Sequence, residues 1–527
     1  MLARTVNFIR LLRAGYVMAR EGVFGLVELP DLPAGPRMAL RIIRLLERNA
    51  ARSADAGARI SVAFNRLGPS YVKMGQFLAT RPDVVGREVA GELSQLQDRL
   101  EAFPRAEAEK LIREALGAPI DEIFAAFGEP VAAASIAQVH PAEIIDADGV
   151  ARKVAVKVLR PGVARRFARD LECFYLAARL FERFSPASRR LRPLAVVDTL
   201  ARSVELEMDL RLEAAALSEI GENTADDPGF RVPQVDWPRT SKGVLTMEWI
   251  DGRKLSDVAG IEADGHDLVA LGASVIQSFL RHALRDGFFH ADMHQGNLFV
   301  DEAGDLVAVD FGITGRLDKA ERRFLAEILF GFITRDYMRV AEVHFEAGYV
   351  PKTQDVAVFS QAIRAIGEPI HGQSAADISM ARLLTQLFEV TELFAMTTQP
   401  QLILLQKTMV VVEGVARSLD PDLDMWRTAE PVVRGWIERN LGPAGKIQDA
   451  GEALSTMFRL AGELPLLAQR AERIIDGIEA QNVSGVKVEP GLVEDWKRAS
   501  RKNNRLATAA LWVIAVSMAA IAVQGWW

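Results

Sequence analysis

Across residues 36 to 65 apolar positions recur three and four apart between arginines, a spacing that predicts an amphipathic helix. The stretch LGPSYVKMGQFLATRPDVV, residues 67 to 85, interrupts that pattern, and helical spacing resumes through VAGELSQLQDRL. Pro104 and then Gly117-Ala118-Pro119 punctuate the run and put a boundary near residue 118. From Pro130 the period shortens. VAAASIAQVHPAEII predicts a strand, a tight turn of small residues and a second strand; DADG (Asp146 to Gly149) is a turn, and RKVAVKVLR is a third, β-branched strand. Residues 163 to 184 and 194 to 220 read as helices, and GVLTMEWIDG, 243 to 252, as a strand ending in a turn. A long amphipathic helix is predicted over 267 to 287. Beyond FFHADMHQGN, the segments LFV, DEAGD and LVAVD predict a short hairpin ending at Asp310-Phe311-Gly312. Residues 317 to 485 are predominantly helical in pattern, without internal repeat or low-complexity tract. A small β-rich region followed by a large helical one, joined near residue 250, predicts an α+β architecture with two lobes.

The two ends carry separate signals. Leu506 to Trp527 holds no charge, and as a helix rising 1.5 Å per residue it would reach roughly 33 Å, enough to cross a hydrocarbon core. Lys497, Arg498, Arg501, Lys502 and Arg505 stand just before it, so the positive-inside bias keeps the N-terminal body on the cytoplasmic side. A helix buried against the globular body is the competing reading, and a membrane segment is favoured. The first twenty residues carry Arg4, Arg10, Arg13 and Arg20 and no acid, and they lack the apolar core of a secretory signal. A basic amphipathic helix lying on a membrane or on the protein itself, and an organellar transit peptide, both fit this composition.

Composition narrows the class without deciding it. The chain has 527 residues, 49% hydrophobic and 25% charged, which suits a folded protein with a sizeable core. A net charge of -7 argues against a nucleic acid as main partner. The single cysteine, Cys173, excludes internal disulfides and thiolate zinc clusters and is expected to be a small buried apolar residue.

FFHADMHQGNLFV, Phe288 to Val300, allows two chemistries. His290, Asp292 and His294 have the look of metal ligands, yet no second histidine-carboxylate cluster has matching spacing. Asp292 followed five residues later by Asn297, and then by Asp310 beyond a hairpin, fits phosphoryl transfer instead: an asparagine and a carboxylate facing each other across a cleft can hold Mg²⁺. Asp292 would orient or deprotonate a nucleophile. Lys157 in VAVK lies in a mostly apolar strand, where an unpaired inward lysine would be costly. Glu207, Asp209 and Glu213 compete as its partner, and a solvent-facing edge lysine is the bland alternative.

VAVK, HADMHQGN and VDFG in this order resemble the lysine strand, catalytic loop and metal tripeptide of the protein kinase-like superfamily. KMGQ (Lys73 to Gln76), AAAS (Ala132 to Ser135) and EMD (Glu207 to Asp209) are similar to the KxGQ motif, alanine-rich loop and ExD motif of the UbiB family of atypical kinases, linked with ubiquinone biosynthesis. The likeness spans roughly residues 65 to 320. It implies a helical extension over 1–117 carrying KxGQ, a kinase-like N-lobe over 118–250, a helical C-lobe over 251–485, a basic linker over 486–505 and the transmembrane helix over 506–527. It further implies that Lys157 pairs with Glu213 and contacts nucleotide phosphate. Ala132, Ala133, Ala134 and Ser135 would border that phosphate, and backbone from Glu248 to Ile250 would meet the adenine. Asn297 and Asp310 would hold Mg²⁺ or Mn²⁺, Asp292 would take the catalytic position, and Lys73 and Gln76 would approach Glu207 and Asp209 in a regulatory cover over the cleft.

Two departures from ordinary kinases matter. Alanines stand where glycines would cradle phosphate, so the loop should hold a stiffer shape. After Asp310-Phe311-Gly312 comes ITGRLDKAERRFL, without A-P-E or a long activation segment. The resemblance thus implies an ATPase anchored in a bacterial inner membrane, acting in ubiquinone biosynthesis on lipid intermediates or on the biosynthetic proteins. A protein or small-molecule kinase and a non-catalytic nucleotide- or lipid-binding scaffold are the alternatives.

Overall fold

The computed structural model describes residues 2–26, 44–48, 56–79, 101–146, 148–184, 192–369 and 400–442, with a few single positions between them. The expected basic linker and transmembrane helix lie outside the described residues, as do the helical readings over 443–485, most of 36–55 and most of VAGELSQLQDRL. Among the described residues no helix is long and apolar enough to cross a membrane. The chain divides into two compact units, Met1–Arg439 and Asn440–Trp527.

Among the described residues, α1 (Leu2–Arg20), α2 (Ala56–Leu67) and α3 (Pro69–Ala79) open the first unit. The segment 67–85 breaks the helical pattern less than its sequence suggests. Gly68, at φ +106°, turns the chain, and Pro69 starts a fresh helix where its missing N–H costs nothing. α3 therefore carries KMGQ on a helix, with Tyr71, Val72 and Gly75 buried.

After α4 (Arg105–Leu116) comes a five-stranded antiparallel sheet: β1 (Ala126–Phe127), β2 (Ala132–Ala133), β3 (Ala137–Ile145), β4 (Ala151–Leu159) and, later in the chain, Val244–Glu248. β4 is an interior strand, paired with β3 on one side and with Val244–Glu248 on the other. Side chains alternate along it. Val154, Val156 and Val158 enter the apolar core with Ala108 and Ile112 of α4, which sends Lys157 to the opposite face. Three helices intervene before the sheet is completed: α5 (Val163–Phe184), α6 (Pro193–Glu207) and α7 (Leu210–Asn223). The helical run expected over 194 to 220 is two helices, because Asp209 adopts an extended conformation and its carboxylate accepts from the Arg211 N–H as an N-cap.

The second lobe follows β5 (Phe230–Arg231), β6 (Val244–Glu248) and β7 (Gly252–Lys254). α8 (Leu268–Arg281) ends short of the expected 287: residues His282–Asp286 form one wide π turn closed by Gly287 at φ +68°. A Cβ at Gly287 would lie 2.5 Å from the Leu317 carbonyl, so this tight exit, which leads into the segment carrying Asp292 and Asn297, requires glycine. β8 (Phe288–His290), β9 (Leu298–Asp301), β10 (Leu306–Ala308) and β11 (Thr314–Arg316) build two small sheets, β5-β10-β9-β7 and β11-β8. Described helices α9 (Lys319–Thr334), α10 (Tyr337–Glu346), α11 (Val356–Gly367), α12 (Pro400–Leu419) and α13 (Met425–Leu441) complete the lobe.

One buried polar staple holds the first lobe. Gln138 accepts from the Phe103 N–H at 2.9 Å and donates to the Phe103 carbonyl at 3.1 Å, a backbone-like pairing made by a side chain. Its amide also meets His140 Nε2, whose Nδ1 donates to the Gly128 carbonyl. Gln138→Leu keeps the volume but orphans these buried groups, and should cost on the order of 3 kcal/mol. A lowered urea midpoint at unchanged slope is the expected readout; an unchanged midpoint would show that the staple contributes nothing net.

Candidate active site

Lys157 is 6% exposed, and its ammonium is met by Glu213 at 2.7 Å and by Asp310 at 3.0 Å. Three elements converge there: the interior strand β4, the first turn of α7, and the end of the β9–β10 hairpin. Burial works against every charge in the group. It would lower the lysine, but the Asp310 and Glu213 carboxylates hold Lys157 well above its usual range. Burial would likewise raise Asp310, yet Lys157 overrides it and holds that carboxyl down at about 2. Glu213 comes off worse. Burial raises it to about 7 in spite of Lys157, helped by the charges of Asp310 and Glu207. One cation between two carboxylates leaves the cluster short of positive charge when both are ionised.

The loop after β8 supplies the other oxygen donors. Asn297 donates from Nδ2 to the Asp292 carbonyl at 3.1 Å, which fixes the amide and leaves its Oδ1 as the acceptor. Asp310 sits at φ +62°, a conformation that non-glycine residues rarely adopt and that aspartate tolerates better than most. Strain of this kind is held only where the surroundings demand it. The donors on Asn297 and Asp310 are hard oxygens, which suits Mg²⁺ or Mn²⁺ completed by phosphate and water. No three His, Cys, Asp or Glu side chains among the described residues group as a metal site. The two histidines do structural work instead. His290 is buried, accepts from the Asp292 N–H through Nδ1, lies tilted against Phe311 with ring centroids 4.6 Å apart, and burial keeps its pKa low. His294 accepts from the Gly296 N–H and lies 3.7 Å from Asp292 Oδ2.

The alanine-rich loop has a latch that sequence reasoning missed. Ala132 and Ala133 pair with β3, and Ala134 N–H closes a turn onto Ala137 O. Ser135 is fully buried, and no residue from 132 to 135 is left-handed. Arg160, just past β4, donates to Ala134 O at 2.8 Å and to Glu101 O at 2.9 Å, while its own N–H reaches Ile136 O. Its position three residues after Lys157 was the available signal. At the junction of the lobes, the N–H groups of Glu248 and Trp249 are taken by Gln234 O and Lys153 O, and the Glu248 carboxylate is held by Arg231. Ile250 follows as a half-buried residue outside any strand.

Lys73 on α3 meets Glu207, the last residue of α6, at 2.6 Å. Gln76 stands one turn further along α3 and is half-buried, whereas Asp209 is engaged by Arg211. Tyr71 and Val72 share one apolar core with Ile136, just after the alanine loop, and Leu159, at the end of the lysine strand.

Residues 95–344 match the ABC1 atypical kinase-like domain, and residues 363–424 match the UbiB helical domain. A probable protein kinase UbiB of Marinobacter nauticus is 38% identical over 467 residues, 88% of this chain and 84% of the relative. The chain belongs to the UbiB family. A protein of the same name from Aeromonas hydrophila is 39% identical over 83% of this chain and 80% of its own, and one from Xanthomonas euvesicatoria is 37% identical over 87% and 84%. Membership shows the kinase-like α+β fold expected from the sequence. A solved Mycobacterium tuberculosis structure, the complex of Rv3197 with erythromycin, is similar at 24% identity and a TM-score of 0.48, covering 76% of this chain and 99% of that one.

Glu213 gives this family member a pH signature. Its folded pKa of about 7 lies above the ordinary value of 4.5, so between these the native state binds more protons than the unfolded one. Stability from this group is full below 4.5 and is lost as pH rises through 7. Asp310 has the opposite sign, with stability present above 3.8 and lost as pH falls toward 2. Relative to Glu213→Gln, the wild type should lose on the order of 2 kcal/mol between pH 4.5 and 7, read from urea midpoints at each pH. A difference that stays flat would mean Glu213 is ionised throughout.

Proposed function

We propose that the protein is a membrane-anchored, Mg²⁺-dependent ATPase of the UbiB type that supports ubiquinone biosynthesis, acting on or organising lipid intermediates or the proteins that process them. The observation that carries this reading is Lys157 held between Glu213 and Asp310, with Asn297 locked nearby and Lys73 of the KMGQ helix paired to Glu207. Lys157 would neutralise the nucleotide phosphates, and the divalent ion, held by Asn297 Oδ1 and Asp310, would supply charge neutralisation for the transferring phosphoryl group. Asp292 would orient the attacking oxygen, with His290 fixing its backbone. Since the N–H groups of Glu248 and Trp249 are engaged, Ile250 would supply the backbone donor to the adenine, with carbonyls between Glu248 and Ile250 as acceptors.

A peptide kinase is the second enzymatic reading, favoured by the relatives' description as probable protein kinases. Against it, β11 pairs with β8 straight after Gly312, and a capping box of Asp318 and Glu321 starts α9. That leaves little chain to form a peptide-receiving segment. Residues 506–527 would provide the anchor, with the body on the cytoplasmic side of a bacterial membrane.

ATP turnover measured with and without membrane lipid and quinone-precursor analogues tests the proposal. Turnover should require Mg²⁺ or Mn²⁺ and fall about 100-fold or more in Lys157→Ala and Asp292→Asn. Asp310→Asn should weaken metal-dependent nucleotide binding, and metal-independent binding unaffected by that change would remove the assigned cation site. The loop makes a separate claim. Ala133→Gly and Arg160→Ala should each shift nucleotide affinity several-fold in the same direction, and combine less than additively because both loosen one turn. Unchanged titrations for both would detach the loop from the phosphate.

A further inference from the structure

α1 is amphipathic the wrong way round for a helix that meets only water on its outer side. Its inward face carries Asn7, Leu11, Ala14 and Met18. Ala14 and Met18 join the core of α2, α3 and α5, and Asn7 donates to Glu172 of α5 at 2.7 Å. Its outward face carries Phe8, Ile9, Leu12 and Tyr16, with Ile9 59% and Leu12 58% exposed. At about 100° per residue these four fall within an arc of roughly 100°, the width of an apolar stripe that ordinarily faces a core. Further apolar side chains are exposed beside the end of the helix. Arg48 donates its N–H to Arg20 O, which ties the segment 44–48 to the end of α1, and there Leu45 is 77% and Leu46 50% exposed.

Charge says what covers this ridge. α1 contains no acidic residue, and Arg13 is exposed at the edge of the stripe. Glu21 is buried against Arg66 and Arg48, Glu47 pairs with Arg59, and the exposed Glu172 meets Asn7 on the inward side, away from the ridge. An apolar ridge bordered by arginine and carrying no acid of its own fits the interface of an anionic bilayer better than the surface of another protein.

We propose that α1 and Leu45-Leu46 lie in the headgroup region of an anionic phospholipid membrane, a second contact independent of residues 506–527. The proposal rests on the membrane residence given to the chain under its proposed function. It is tested on the full chain carrying Leu12→Cys, labelled there with an environment-sensitive dye; the only native thiol, Cys173, is buried. The chain is reconstituted into vesicles of phosphatidylcholine with or without phosphatidylglycerol, some with brominated acyl chains. A blue shift and bromine quenching that grow with phosphatidylglycerol are expected, with loss of both when Phe8→Gln and Ile9→Gln are added. Vesicle flotation of the protein without quenching would overturn the α1 contact while sparing the anchor. A shift that follows protein density and ignores the brominated lipid would overturn it in favour of self-association. Failure to float at all would overturn both.

Discussion

A lysine ammonium without water must be surrounded by acceptors, and that single constraint organises the first unit of this chain. β4 is interior to its sheet, and alternation sends its valines to one core and Lys157 to the other face. The only way to keep the charge there is to bring carboxylates to it from distant parts of the chain. α7 brings Glu213 and the β9–β10 hairpin brings Asp310, so one buried cation clamps the sheet to a helix and to the second lobe. The left-handed backbone at Asp310 belongs to the same requirement. Truncating either partner of such a group is far more costly than the net value of the pair, because the other charge is left buried alone.

Where the sequence was legible, local chemistry and tertiary structure agreed. The strand VAVK, the hairpin ending at Asp310 and the turn at DADG all carry period-two patterns or turn residues, and they formed as read. Glu213 was one of three acids competing for Lys157, and composition alone could not separate them. The helix break at Asp209 separates them, because it starts a new helix whose first turn faces the strand. What stayed hidden was hydrogen bonding between side chains and remote carbonyls. Nothing local marks Gln138 as the partner of Phe103, or Arg160 as the latch on Ala134, since those pairings exist only after the sheet has formed. Helix limits were also misread. KMGQ lies on a helix inside a segment read as a break, and the π turn before Gly287 ends α8 where the apolar spacing continues.

The alanine loop and the lysine belong to one mechanical piece. Arg160 follows Lys157 on the same chain direction and holds the loop by its carbonyls, so loop position and charge position are set by one strand. Glycine-rich loops of ordinary kinases derive mobility from their free backbone; here the turn is paired to β3 and latched by Arg160.

The ion pair between Lys73 and Glu207 reaches further than its own distance suggests. Glu207 is among the charges that make Glu213 reluctant to ionise, and Lys73 offsets that charge. Moving α3 away would therefore raise the proton affinity of Glu213 and weaken its hold on Lys157. The pair thus links the position of α3 electrostatically to the charge balance around Lys157.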